Sequence, residues 1–407
     1  MVVLRRCALF LAFLISGGLL LFPREPILLL LVALCLAVTG LRLPLRREMW
    51  PLLLLLAAVG LVTLLRPGPL SVGSLVSRAT NFAAAVFMLN MYLRAPHGAL
   101  AGDLLAVLRW LAIQALATVV LAHTVGGLFV PVAIGEQSYQ TLLGLFNYHV
   151  TIEELGGLIR PDGFFFEPGV FQIYLNLYLY LTLFVARRPG QALLATLAVM
   201  STQSTTGIVI CAVLLGGALW QRLGTGALRN RVLAVLLALA AAPPLIVMTY
   251  DNVSDKLFGT AQGSSWAREY DFFTGLNVIV EHPLLGIGFD VGRYLEVTGR
   301  VAYEDTLLDS AATEERPTSN GLIHLFYSLG IPLGLLFAWG LFRQTLFAHR
   351  GLIGVWFSLS MFGESVLFTP FFLMIVLSAY LVRRAPARAR RAQLPRQAPA
   401  QTPGLTA

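Results

Sequence analysis

Apolar runs recur along this chain from residue 5 to residue 382, separated mostly by short polar turns. Twelve can be drawn, at 5–22, 27–41, 49–65, 75–93, 104–133, 168–186, 190–202, 207–220, 232–250, 320–342, 351–363 and 369–382. Several fall short of the roughly 20 residues a helix needs to cross hydrocarbon, so tilted or partial spans are expected. The pattern predicts an all-α polytopic membrane protein with about 12 transmembrane helices, a single transmembrane domain over residues 1–382. Two segments break the rhythm, 134–167 and 251–319. In the second, Trp266, Tyr270 and Phe273, with Leu276 and Ile279, recur at helical spacing after Ser265, and Pro283 ends the run. That predicts a short amphipathic helix lying on a membrane surface.

Composition sharpens this reading. Hydrophobic residues make up 57% of the chain and charged residues 12%, against about 25% charged in soluble domains. For the chain as a whole, a soluble enzyme, a disordered tail and a nucleic-acid module are excluded. Cys7, Cys35 and Cys211 lie far apart inside apolar runs and read as small buried hydrophobes.

The net charge of +8 is explained by where its arginines fall. Arg5 and Arg6, Arg42, Arg46 and Arg47, Arg94, Arg187 and Arg188, Arg222, Arg229 and Arg231, and Arg343 and Arg350 occupy loops of one parity. The opposite short loops carry only Arg24 and Arg66. By the positive-inside rule the first side is the cytoplasm, both termini are cytoplasmic, and the two long segments are periplasmic. Residues 383–407, rich in Arg, Pro, Ala and Gln, read as a disordered basic cytoplasmic tail. The two long segments hold 17 of the 21 acids but only 6 of the 29 basic residues. They form a separate functional face, because long loops on a helical scaffold are where chemistry concentrates.

Candidate residues cluster there. Arg160 is either a bidentate clamp for phosphate or carboxylate, or the counter-charge of Glu153, Glu154 or Asp162. Glu167, just before Pro168, is either an acid at a helix start or a carboxylate base at the edge of apolar surface. Arg268, Asp271, Gly275 and His282 share one face of the second-segment helix. Asn320, His324 and Ser328 follow at four-residue intervals at the start of the tenth run. A neutral His there faces protein or a water-filled cavity. Arg78 is placed to snorkel, and Glu364 sits in a break between two short runs. The acidic stretch Glu304 to Glu315 reads as an exposed loop, so no metal site and no cofactor are expected.

Three of these patterns resemble one family. They are Arg160-Pro-Asp-Gly-Phe-Phe-Phe-Glu167-Pro168, Arg268 followed by Glu281-His282-Pro283-Leu-Leu-Gly286-Ile-Gly288, and Ser319-Asn320 with Gly330 ten residues on. With Ser201-Thr-Gln-Ser204-Thr-Thr-Gly207 between two runs, they look like the O-antigen ligase and Wzy-type polysaccharide polymerase superfamily over roughly residues 135–340.

The resemblance implies a membrane glycosyltransferase at the outer face of the bacterial inner membrane. It would act on undecaprenyl-diphosphate-linked glycan without a metal, in contact with membrane lipid and not nucleic acid. Chain-length regulators or flippases are implied as partner proteins. Arg160 and Arg268 match the family's outer-loop arginines, which would bind the departing diphosphate. Glu167, His282 and His324 are the candidate bases, and Ser319 and Asn320 would support the acceptor or the structure. Ligases of this family place a His immediately before the Asn, where this chain has Ser319. That departure favours a polymerase over a ligase. A transporter of lipid-linked sugar is the reading from a different class, but it would place ionisable groups at mid-membrane.

Overall fold

The computed structural model describes residues 1–17, 24–44, 47–66, 72–134, 137–150, 159–225, 262–298 and 318–382. Helices α1 (Val2–Ser16), α2 (Arg24–Thr39), α3 (Trp50–Leu65), α4 (Val72–Arg94) and α5 (Ala99–Val125) come first. Strands β1 (Val130–Ile134), β2 (Gln137–Leu142), β3 (Phe146–Val150) and β4 (Ile159–Pro161) follow. The chain then continues through α6 (Pro168–Tyr180), α7 (Pro189–Ser201), α8 (Thr205–Thr225), α9 (Gln262–Glu281) and α10 (Val291–Thr298). It closes with α11 (Gly321–Arg343), α12 (Arg350–Gly363) and α13 (Pro370–Leu377). Proline opens α6, α7 and α13, where its missing N–H would have had no helical partner.

Among the described residues, Arg47–Leu65, Ala99–Leu128, Pro168–Val185 and Gly321–Arg343 are long and apolar enough to cross a membrane. The protein is a mostly helical membrane protein. Pro189–Ser201, Thr205–Gln221 and Pro370–Tyr380 are shorter apolar helices, and the expected run at 232–250 lies outside the described residues. α6 and α13 form the centre, with every α13 side chain buried. Their rings pack tightly: Phe13 against Phe371 at 4.8 Å, Phe165 on Tyr174 at 5.0 Å, Phe357 on Phe372 at 4.8 Å. A helix apolar on all sides belongs in such a position. The outward side chains of α3 and α5, among them Leu54, Leu61, Trp110 and Ile113, are exposed and suit lipid.

Contacts divide the bundle into two ends. At the arginine-rich end, buried Arg5 donates to Asp103 at 2.8 Å, joining the starts of α1 and α5. There too Val382 N–H donates to the Glu48 carbonyl at 2.9 Å. At the other end Thr369 donates to Ser16 at 2.9 Å. Every candidate site residue that is described lies toward this second end.

One expectation needs correction. The chain is not all-α, because the strands β1 to β4 form a four-stranded antiparallel sheet of order β1-β2-β3-β4. The fifth apolar run extends to residue 133 in the sequence, but α5 ends at Val125, Gly126–Leu128 form a 3-10 turn, and β1 begins at Val130. Leu143 and Gly144, both at positive φ (57° and 66°), turn β2 into β3, the backbone sign a tight hairpin demands. Gln114 of α5 donates to the Leu145 carbonyl and ties the hairpin tip to the bundle.

The Gly286–Gly288 turn also acquires a structural role. α11 is broken at Gly330 (φ 77°) and contains Pro332. Pro332 has no N–H for the Ser328 carbonyl, and the Ile331 N–H turns away to the Pro283 carbonyl at 2.7 Å. Tyr327 and Ser328 therefore have free carbonyls in an apolar setting, which is costly. The Ile287 N–H satisfies Tyr327 at 2.7 Å and the Gly288 N–H satisfies Ser328 at 3.2 Å. Buried Arg66 completes the lock, donating to the carbonyls of Gly286 (3.0 Å), Leu285 (2.5 Å) and Ser328 (2.8 Å).

Candidate active site

The candidate residues meet where several helices start or stop. Asn320 caps α11, its Oδ1 accepting from the N–H groups of Leu322 (3.0 Å) and Ile323 (3.1 Å), the usual work of Asn at a helix start. Just before it, Ser319 donates through N and Oγ to Oδ2 of Asp271 at 2.6 and 2.7 Å. α9 approaches so closely that a Cβ on Gly275 would stand 2.1 Å from Ile323 Cγ2. α9 therefore runs alongside the first turns of α11. Arg268 lies on α9 one turn before Asp271.

His282 follows the last residue of α9, on the face that carries Arg268. Fourteen residues separate them, which is about 21 Å along a helix. The structure shares the face but not the place. His324 is 4% exposed; its Nδ1 lies 2.5 Å from Ser365 Oγ, and its Nε2 has no hydrogen-bond partner among the described residues.

Glu364 precedes that serine and is buried. A Cβ on Gly169 would lie 2.6 Å from Glu364 Oε1 and 3.6 Å from Glu167 Cδ, so the two carboxyl groups converge on one glycine. Glu167 is the N-cap residue of α6. On the other side of Glu167, Arg160 in β4 donates through Nε to the Thr202 carbonyl at 3.2 Å. Its two terminal nitrogens make no hydrogen bond or ion pair among the described residues. Thr202 belongs to the 201–207 turn, which Asn176 of α6 holds by donating to the Gly207 carbonyl at 3.1 Å. Burial lowers the proton affinity of Arg160, and the negative charges of Asp162 and Glu167 oppose that effect.

The acid beside Arg160 in sequence has another partner. Asp162 is fully buried, and its Oδ1 meets His149 Nδ1 at 2.8 Å. Burial pushes this carboxyl up to about 6, against the pull of His149 and Arg160. An unfolded Asp titrates near about 3.9. The raised value makes a stability contribution that is fully present below about pH 4 and lost as pH rises through about 6. Hydrogen exchange of the β3 and β4 amides is expected to show weakening protection across that window. Asp162→Asn should flatten the dependence; an unchanged slope in that variant would contradict the assignment.

The structure thus gathers Arg160, Glu167, Ser319, Asn320 and His324 into one region, brings the Arg268 turn of α9 to its edge, and leaves His282 apart. Sequence reasoning passed over Glu364 as a site residue. Its signal was present, since an ionisable side chain inside an apolar stretch marks a functional position by default. The hold of Asp271 on Ser319 had no sequence signal beyond a shared helix face. Among the described residues no group of three or more His, Cys, Asp or Glu side chains is placed to hold a metal ion.

No curated protein matches this chain, and no solved structure matches it. A family model does match, described as O-antigen ligase, over residues 191–338. That stretch runs from α7 to the last third of α11 and contains Arg268, His282, Ser319, Asn320 and His324, while Arg160 and Glu167 precede it. Residues 191–338 thus match the O-antigen ligase model, and the match supports the resemblance to the O-antigen ligase and Wzy superfamily.

Proposed function

We propose that this protein is a polymerase of undecaprenyl-diphosphate-linked oligosaccharide repeats, working at the periplasmic face of the inner membrane. The observation that carries the reading is the guanidinium end of Arg160, without a hydrogen bond or ion pair among the described residues, within electrostatic reach of Glu167, whose carboxyl group converges with that of Glu364 on Gly169. Glycosyl transfer needs that pairing of charges. An acceptor hydroxyl attacks the anomeric carbon, the bond from that carbon to the diphosphate oxygen breaks, and the diphosphate leaves with the electron pair. Arg160 and Arg268 stabilise it, since a guanidinium stays protonated and forks onto phosphate oxygens. Glu167 takes the hydroxyl proton. His324, bound to Ser365, positions the break that carries Glu364, and His282 lies too far along α9 to serve the group held by Arg268.

A ligase that moves glycan to lipid A-core is the second reading. Against it stands Ser319, fixed by Asp271 at the position where the resemblance puts a ligase's His. Incubating purified protein with a lipid-linked repeat unit separates the two. A ladder of products supports polymerisation; transfer of one chain to added lipid A-core supports a ligase; no product contradicts both. Topology is checked by reporter fusions after residues 145, 300 and 390. The first two are expected to report periplasm and the last cytoplasm. Cytoplasmic signal at 300 would put the arginines out of reach of the donor and overturn the mechanism.

A further inference from the structure

Arg78 of α4 has no hydrogen bond or ion pair among the described residues. Its guanidinium lies over two rings instead, 5.5 Å from Phe289 and 5.9 Å from Phe368. The Arg24 guanidinium at the start of α2 is close enough to act on it with like charge. A half-buried cation facing another cation, with no carboxylate joined to it, is an expensive arrangement.

Around it stand polar atoms unmatched among the described residues. The His324 ring stacks on Tyr327 at 5.3 Å and meets Phe368, one of the rings beneath Arg78, edge-on at 5.0 Å. Arg78 acts electrostatically on both the His324 and the Tyr327 rings. His324 Nε2, Tyr327 Oη and Ser328 Oγ are all buried without a hydrogen-bond partner among the described residues. These residues are 4%, 1% and 0% exposed. Buried polar groups are rarely left unmatched; these three share one face of α11 at i, i+3 and i+4, Arg78 acts on two of them, and together they point to a common missing partner. Every one of the four can donate a hydrogen bond, the His through Nε2–H when Ser365 donates to Nδ1. Four donors and a fixed positive charge describe a site for an oxyanion.

We infer that Arg78, His324, Tyr327 and Ser328 form a second anion site, which holds the diphosphate of the lipid-linked glycan that is kept rather than cleaved. This rests on the polymerase reading, in which two lipid-linked glycans must be present together. The donor's diphosphate leaves onto Arg160 and Arg268, whereas the acceptor's diphosphate stays intact and needs its own counter-charge. The Phe289 and Phe368 rings beneath Arg78 suit the apolar tail that such a carrier brings to the same place.

The test counts ligands on the full-length protein in detergent by native mass spectrometry, with farnesyl diphosphate as probe and inorganic pyrophosphate as competitor. Wild type is expected to bind two farnesyl diphosphates. Arg78→Gln should keep one and bind the second roughly tenfold more weakly or worse. Tyr327→Phe, which removes one oxygen and keeps the ring, should weaken the same event and guards against a folding defect in the first variant. The double change Arg160→Ala with Arg268→Ala should remove the other event. If Arg78→Gln and Tyr327→Phe both bind like wild type, the second site is overturned. If inorganic pyrophosphate displaces the Arg78-dependent ligand as well as the lipid does, the site holds a free anion and the carrier assignment is overturned. If the Arg78 variants lose binding while the Arg160/Arg268 variant loses none, the second site stands and the proposed leaving-group site fails.

Discussion

Replacing Arg160 or Arg268 with Ala is expected to cut polymer output by about ten- to more than a hundredfold in well-expressed protein. Each change removes a charge-assisted contact to the departing diphosphate, on the order of 1.5–3 kcal/mol. The structure sharpens the expectation for Arg160. Its Nε is spent on the Thr202 carbonyl, which aims the two terminal nitrogens as a fork. Lysine offers one ammonium group, and it cannot both hold Thr202 and straddle a diphosphate. Arg160→Lys is therefore expected to rescue poorly. The measurement is polymer length and amount per unit of membrane protein, at saturating donor. Wild-type output from both Ala variants would contradict the leaving-group role.

Ala at Gly286 or Gly330 is expected to destabilise the protein by on the order of 3–5 kcal/mol. Both backbones are left-handed, at φ 62° and 77°, which costs an L-residue roughly 1–2 kcal/mol. Space is the second problem. A Cβ on Gly286 would stand 2.3 Å from the Tyr327 carbonyl oxygen, and one on Gly330 would stand 2.2 Å from that of Leu284. Either would part the turn from the kink and strand hydrogen bonds worth about 1 kcal/mol each, more where the donor is charged as in Arg66. Thermal unfolding in detergent measures the effect. Gly60→Ala is the control, since a Cβ there meets nothing within 4 Å and Ala favours a helix. Equal melting of the Gly286, Gly330 and Gly60 variants would show that the turn does not brace α11.

How legible the molecule was depends on the range of the interactions that built each part. Helix positions were readable because an apolar run is a local property: expected and observed helices agree at 49–65, 168–186 and 351–363 to within a few residues. The sheet was not readable, since β1 continues the apolar tail of α5 and β4 has three residues. Strand pairing is non-local, and segments this short leave little period to detect. The helix bearing Arg268 was predicted from periodicity, yet its course beside α11 follows from the absent side chain of Gly275 and from the reach of Asp271 to Ser319.

By itself the sequence determined that this is a membrane protein, the helical period of its runs, the asymmetry of its arginines and the two polar segments that carry its candidate chemistry. These follow from composition and spacing, which need no knowledge of neighbours. Only the tertiary structure decided that Glu364 and Glu167 converge on Gly169 while His282 stays apart, that Asp162 bonds His149 rather than Arg160, and that Arg66 braces a broken helix while Arg78 faces donors unmatched among the described residues. A side chain's partner is set by whichever backbone satisfies its hydrogen bonds at lowest cost once water is excluded. That backbone can lie more than two hundred residues away, as the carbonyls of Gly286 and Ser328 do from Arg66.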